Sequence, residues 1–192
     1  MNSSYKEHDY GKLFYNIIMQ NKPNKVVELG VLDGYSALHF AKGLKSNNKG
    51  RLYCYDLWEE YQYSHGNFDE VFTMLYKQGV KDYVTLRIGN AFEVHTEWKE
   101  KEIDILHVDI SNDGSIVRRI LELWTDKVKM IIAFEGGSQE RDNVEWMKKY
   151  YKEPMLPEFS KNEIIKEQFD KVNFLSFPSL TLLFKKDYRQ GL

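Results

Sequence analysis

The sequence predicts a doubly wound α/β protein with a mostly parallel seven-stranded sheet that ends in an antiparallel hairpin. Three observations carry that expectation. Short, nearly continuous apolar runs recur at 26–29, 52–55, 84–88, 103–108 and 130–134, as suits strands covered on both faces. Stretches with helical spacing separate most of them, and parallel neighbours need such crossovers. Two further runs, 172–177 and 180–185, are joined only through Pro178-Ser179, a link too short for anything but a hairpin.

Taken in order, a helix at about 10–20 comes first and stops before Pro23. Strand 26–29 leads to helix 36–44, strand 52–55 to helix 68–78, and strand 84–88 follows. Strand 103–108 leads to helix 116–124, and strand 130–134 to helix 144–151. A helix at 162–169 precedes the hairpin. No repeat, low-complexity tract or Gly/Ser linker interrupts the chain, so one domain over residues 1–192 is expected.

Composition sets the outer limits. The 192 residues carry 27 Lys+Arg against 29 Asp+Glu, a net charge of −2, which argues against a protein held on nucleic acid by bulk electrostatics. The hydrophobic share of 42% is enough for a packed core rather than a disordered chain. A single cysteine, Cys54, excludes an internal disulfide framework and a multi-thiolate zinc site. The polar start shows no secretory leader, and no apolar run approaches the roughly 20 residues of a membrane span. The expectation is a soluble, cytoplasmic protein without a membrane partner.

Open α/β sheets bind ligands at the carboxyl ends of their strands. Four of the five expected parallel strands carry an acid at or beside that end: Glu28, Asp56, Asp109 and Glu135. Such a rim suits a ligand with hydroxyls and a positive charge. Between the first strand and its helix, Gly30 permits a tight turn, Gly34 lets backbone approach a ligand, and Ser36 is placed to cap the helix. The spacing is Gly-x-x-x-Gly, unlike the Gly-x-Gly-x-x-Gly of nicotinamide and flavin binders. An ordinary strand–turn–helix connection would use the same glycines. Asp56, followed by Leu57, could accept both ribose hydroxyls of a nucleoside. Gly89-Asn90-Ala91 offers a small turn and an amide for an adenine edge.

These residues resemble the class I S-adenosylmethionine-dependent methyltransferases. Glu28-Leu29-Gly30 with Gly34 and Ser36 looks like the first motif of that class, and Asp56 like its ribose-binding acid. Gly89-Asn90-Ala91 looks like the adenine-side motif, residues 103–109 like the fourth, and the final hairpin like the reversed last strand. Within the class, the likeness is to the small-molecule group of macrocin O-methyltransferase and cephalosporin hydroxylase-like proteins. The resemblance implies a Rossmann-like sheet and S-adenosyl-L-methionine as cofactor. Glu28, Gly30, Gly34, Ser36, Asp56, Leu57, Asn90, Ala91 and Asp109 would face that cofactor. The chain departs from the group at Ile110-Ser111-Asn112-Asp113, which replaces Gly-Asp-His, and at Glu135, which replaces Asp. No base histidine carries over.

Methyl transfer to oxygen needs positioning and removal of the acceptor proton, by a base or by a metal that lowers the acceptor's pKa. Asp109 and Glu135 are the candidate catalytic residues. With an oxygen or amide from Ser111, Asn112 or Asp113 they would also suit Mg²⁺, which prefers oxygen ligands. Asp109 could instead only orient the cofactor, and Glu135 could be a solvated loop acid. His107 reads as a core histidine on a strand face that could reach the site. The other four histidines carry no recognisable constellation, and Cys54 reads as packing. Asp142 with Glu145 reads as a capping box for the helix at 144. Arg141 reads as a surface residue, or as a group for an anionic or hydroxyl-rich acceptor. The aromatic loop 57–68 could stack on a ligand or form a local cluster, and residues 152–161 are expected to be irregular and to help cover the pocket.

The function expected is O-methylation of a small molecule or sugar, with a homo-oligomer left open. One alternative is a cofactor-binding or interaction protein of the same fold that has lost catalysis, suggested by the altered stretch after Asp109. A nucleic-acid methyltransferase is disfavoured: no two prolines are adjacent, and Arg118-Arg119 and Lys148-Lys149 read as solvated helix faces.

Overall fold

The computed structural model describes residues 3–63 and 65–189. Its seven strands run in the order 84–88, 51–56, 25–29, 103–108, 128–135, 180–185 and 169–174, and 180–185 is antiparallel to both of its neighbours. The mostly parallel sheet closed by a hairpin is therefore the fold the sequence predicts. The chain divides into two compact units, Met1–Val94 and His95–Leu192.

In the first unit, helix α1 (Tyr10–Asn21) buries Tyr10, Phe14 and Ile18 along one face. It packs on α2 (Tyr35–Asn47) through an aromatic cluster in which Phe14 meets Tyr5 at 5.0 Å and Phe40 at 4.9 Å. Strand β1 (Lys25–Leu29) pairs in parallel with β2 (Arg51–Asp56), and β2 with β3 (Val84–Ile88). Helix α3 (Phe68–Lys77) starts at Asn67, whose side chain accepts from the Glu70 N–H at 2.9 Å. Asp69 and Glu70 in its first turn and Lys77 in its last complement the helix dipole.

In the second unit, β4 (Ile103–Val108) is buried along its whole length, Asp104 and His107 included, as a strand covered on both faces is. Helix α4 (Gly114–Trp124) is capped by Asp113, which accepts from the Ser115 N–H at 2.9 Å. Strand β5 (Val128–Glu135) pairs in parallel with β4, Val108 opposite Phe134. Four short helices follow: α5 (Gln139–Asp142), α6 (Glu145–Lys149), α7 (Leu156–Lys161) and α8 (Glu163–Gln168). Strands β6 (Phe169–Phe174) and β7 (Leu180–Lys185) form the hairpin, and α9 (Lys186–Arg189) ends the described chain.

Four local expectations are corrected. The capping box is absent: α6 has no side-chain cap, and the Asp142 carboxylate instead accepts from the Met155 and Leu156 N–H groups at 2.9 and 2.8 Å. Residues 152–161 are not irregular throughout, because that grip on Met155 and Leu156 starts α7, with Pro157 in its first turn. Arg118 is not merely solvated, since Glu153 and Glu158 hold it at 2.7 and 2.5 Å. Strand β6 is also shifted toward the N-terminus, running Phe169–Phe174 rather than 172–177, and its earlier end lengthens the link to β7 to residues 175–179. Among the described residues, no helix is long and apolar enough to cross a membrane.

Candidate functional site

The glycine turn of the first unit is held from two sides. Gly34 has φ +77° and is itself the N-cap of α2, its carbonyl accepting from the Leu38 N–H at 3.0 Å. A side chain there would be strained by the backbone and would meet Val71 Cγ1 at 2.9 Å. Ser36 therefore does not cap the helix. It lies inside the first turn, and its hydroxyl donates to Glu28 Oε1 at 2.5 Å. Glu28 is fully buried, and its other oxygen faces Cys54 Sγ at 3.4 Å. Burial first, and the Glu28 charge second, push the Cys54 thiol well above its ordinary pKa. Cys54 is thus an inert buried group, as read from its strand position.

Asp56 closes β2 and reaches back to the same turn. Its Oδ2 accepts from the Val31 and Leu32 N–H groups at 2.7 and 3.1 Å, and its Oδ1 from the Trp58 N–H at 2.9 Å. A carboxylate offers about four acceptor positions, so these three bonds leave one, on Oδ1. Gly30 (φ +84°) donates to the Tyr55 carbonyl at 2.9 Å, which ties the start of the turn to the end of β2. Leu32, with φ +50°, is the exposed crest of the turn.

The aromatic loop divides by function. Trp58 is fully buried, donates from Nε1 to the Arg87 carbonyl at 3.3 Å and packs edge-on to Phe68 at 5.5 Å. Tyr61 and Tyr63 are exposed and pack on each other at 5.4 Å. Gly66 comes so close to the glycine turn that a Cβ would lie 1.9 Å from the Leu32 carbonyl oxygen. Beside it, Asp33, Asn67, Glu70, Val71 and Met74 line a cavity of about 110 Å³. Asn90 makes a local turn: its Oδ1 accepts from the Phe92 N–H at 3.0 Å and its Nδ2 donates to Glu93 at 3.2 Å. Ala91 is buried, and Leu57 is half-buried just after Asp56.

In the second unit, Asp109 and Glu135 follow paired positions of β4 and β5. They line one narrow cleft with Ser111, Asn112 and Met155, among others. His107 is fully buried within β4, the core position favoured from sequence.

Glu135 is not a solvated acid. It is buried, and Arg141 Nη2 donates to its Oε1 at 3.1 Å. The same Nη2 donates to Asn112 Oδ1, while Asn112 Nδ2 donates to the Glu135 carbonyl at 3.1 Å. Arg141 is correspondingly no surface residue, being 8% exposed. The rings of Trp146 and Phe177 lie 5.1 and 5.3 Å from its guanidinium carbon. Gly136 and Gly137, with φ +102° and +100°, make this closeness feasible. A Cβ on Gly136 would reach Met155 Sδ at 2.8 Å and Asn112 Nδ2 at 2.9 Å.

The Mg²⁺ expectation is not met by this geometry. One of its two carboxylates is engaged by a guanidinium, and Asn112 turns its amide oxygen to the same nitrogen. Among the described residues no group of three His, Cys, Asp or Glu side chains could hold a metal ion. Met155, Trp146 and Phe177 carry no motif in the sequence; they come from the start of α7, from within α6 and from the hairpin link.

A family model described as a methyltransferase domain matches residues 27–130. The chain therefore belongs to that methyltransferase family, and its class I fold is the one the sequence resemblance implied. A methyltransferase from Podospora anserina, solved with S-adenosylhomocysteine bound, superposes with a TM-score of 0.70 at 19% identity, covering 97% of this chain and 80% of that one. The O-methyltransferase TomG of Streptomyces achromogenes, solved with S-adenosylmethionine and involved in tomaymycin synthesis, gives 0.63 at 17%, covering 94% and 85%. An O-methyltransferase from Bacillus cereus in complex with S-adenosylhomocysteine gives 0.63 at 17%, covering 96% and 83%. No curated protein is significantly similar in sequence.

Proposed function

We propose that this protein is an S-adenosylmethionine-dependent O-methyltransferase acting on a small hydroxylated molecule, a sugar included. The observation that carries the reading is the glycine turn 30–34, fixed by Asp56 through two backbone N–H groups and underpinned by the buried Ser36–Glu28 bond. A turn held in this way presents the N-terminus of α2 and the remaining acceptor position of Asp56 to a nucleoside. Similar solved methyltransferases that carry the cofactor or its product support the choice of ligand.

S-adenosylmethionine supplies a methyl group on a sulfonium, with a neutral thioether as the leaving group. The chain's own part is to hold and deprotonate. Asp56 accepts one ribose hydroxyl at Oδ1, and the loop with Leu57 and the turn at Asn90-Ala91 border the nucleoside. Asp109 would take the proton of the acceptor hydroxyl as a general base. Glu135 keeps Arg141 in place rather than acting as a second base.

The test is release of S-adenosylhomocysteine from S-adenosylmethionine in a protein-free metabolite extract, with Asp109→Asn as the comparison. Release that depends on the extract and falls about 100-fold in the variant is expected. The engagement of Glu135 by Arg141, which leaves Asp109 as the one rim acid proposed as a base, favours a second reading, a cofactor-binding protein without turnover. Cofactor binding with no release in any extract selects that second reading.

A further inference from the structure

Glu135 Oε1 and Asn112 Oδ1 come from different segments and converge on one positive centre, Nη2 of Arg141. Oxygen donors meeting in this way are the arrangement by which proteins hold hard divalent cations. Here the positive charge is covalently part of the chain. The guanidinium is also incompletely used. The Arg141 side chain is 10% exposed, yet its Nε has no hydrogen-bond partner among the described residues. A buried charged N–H without an acceptor is costly, so an oxygen brought from outside would complete it. Trp146 and Phe177 wall the group with aromatic rings rather than with competing acceptors.

We propose that Arg141 takes the place of a divalent cation at this rim. Its guanidinium fixes Glu135 and Asn112 and donates from Nε to an oxygen of the methyl acceptor, so that transfer proceeds without a metal ion. Because Glu135 already balances the Arg141 charge, the oxygen that fits is a neutral hydroxyl or carbonyl rather than a full anion. The role toward the acceptor rests on the methyltransferase reading. The occupation of the cation position rests on the geometry alone.

The experiment has a binding arm and a turnover arm. In the first, Mn²⁺ is titrated up to about 1 mM into wild type, Arg141→Met and the Arg141→Met/Glu135→Gln double variant, with free Mn²⁺ read by electron paramagnetic resonance. Expected is no saturable binding in wild type, one site in Arg141→Met, and none in the double variant. Saturable binding in wild type that Glu135→Gln abolishes would overturn the proposal. So would a folded Arg141→Met that binds no more Mn²⁺ than wild type. Circular dichroism establishes folding, and Arg141→Gln replaces the Met variant if that one does not fold. If neither folds, the wild-type titration decides.

In the second arm, S-adenosylhomocysteine release in the metabolite extract is followed with EDTA and with added Mn²⁺. Wild-type release unchanged by EDTA is expected, with a loss of about 100-fold in Arg141→Met that Mn²⁺ partly restores. A merely structural ion pair would show no Mn²⁺ rescue, and that result, like EDTA inhibition of wild type, contradicts the proposal. Absence of all wild-type release would count against the methyltransferase reading, while the Mn²⁺ titration still reads the cation position.

Discussion

The Ser36 hydroxyl donates to Glu28 Oε1 at 2.5 Å, in a space where Glu28 is fully buried. The bond joins the first turn of α2 to β1 beneath the glycine turn. Removing one partner of a buried hydrogen bond costs about 1–3 kcal/mol. Ser36→Ala should therefore lower stability by about 2 kcal/mol and weaken cofactor binding, because the turn loses its floor. Urea denaturation with an unchanged slope, beside a cofactor titration, checks both effects. A variant as stable as wild type would show that the bond contributes nothing.

Gly34 caps α2 with φ +77°, and a Cβ there would press on Val71 of α3 at 2.9 Å. Gly34→Ala should lose about 1–2 kcal/mol from the left-handed backbone alone. Cofactor binding should fall further than stability does, since the backbone of this turn is the proposed contact surface. Thermal unfolding and calorimetry on the same sample separate the two.

The ion pair between Arg141 and Glu135 is buried on both sides, at 10% and 7% side-chain exposure. Removing one partner of such a pair leaves an uncompensated charge and costs about 3–5 kcal/mol. Glu135→Gln should therefore destabilise strongly, whereas Glu135→Met with Arg141→Met should recover most of the loss. A double-mutant cycle by urea denaturation reads the coupling. Near-zero coupling would mean that the pair acts only through packing.

The architecture was legible because alternating apolar runs and crossovers leave few topologies for a parallel sheet, and strands 84–88 and 103–108 fall at the expected residues. The strand ends that carry Asp56, Asp109 and Glu135 were legible for the same reason, whereas Glu28 lies inside β1, fully buried against Ser36 and Cys54 rather than facing a ligand. What those acids do was not legible. Ser36 looks like a cap in sequence because its partner, Glu28, lies eight residues away on another element. Arg141 looks like a surface residue because its burial depends on Asn112, Trp146 and Phe177, which are brought to it by tertiary packing. Asp142 and Glu145 fit a local capping rule, but the N–H groups of Met155 and Leu156 compete for the same carboxylate and win.

His39 lies on α2 against the Tyr35 ring, 4.8 Å between centroids. Partial burial first, and the nearby Lys42 second, hold its pKa below the ordinary 6.5, with Asp9 opposing them. The unfolded chain therefore takes up this proton before the folded one does. The contribution to stability is present above about pH 6.5 and is lost as pH falls through the lower folded value. His39→Gln should flatten the loss of melting temperature between about pH 7 and 5. An unchanged pH profile in the variant would show that His39 does not contribute.

The turn 30–34, held by Asp56, is the proposed S-adenosylmethionine site. Isothermal titration calorimetry of the full chain with S-adenosylmethionine, beside Asp56→Ala, tests it most directly. Expected is 1:1 binding with a dissociation constant in the micromolar range, about −8 kcal/mol, and a loss of at least about tenfold in the variant. No binding by wild type at sub-millimolar protein, or equal binding by the variant, would contradict it.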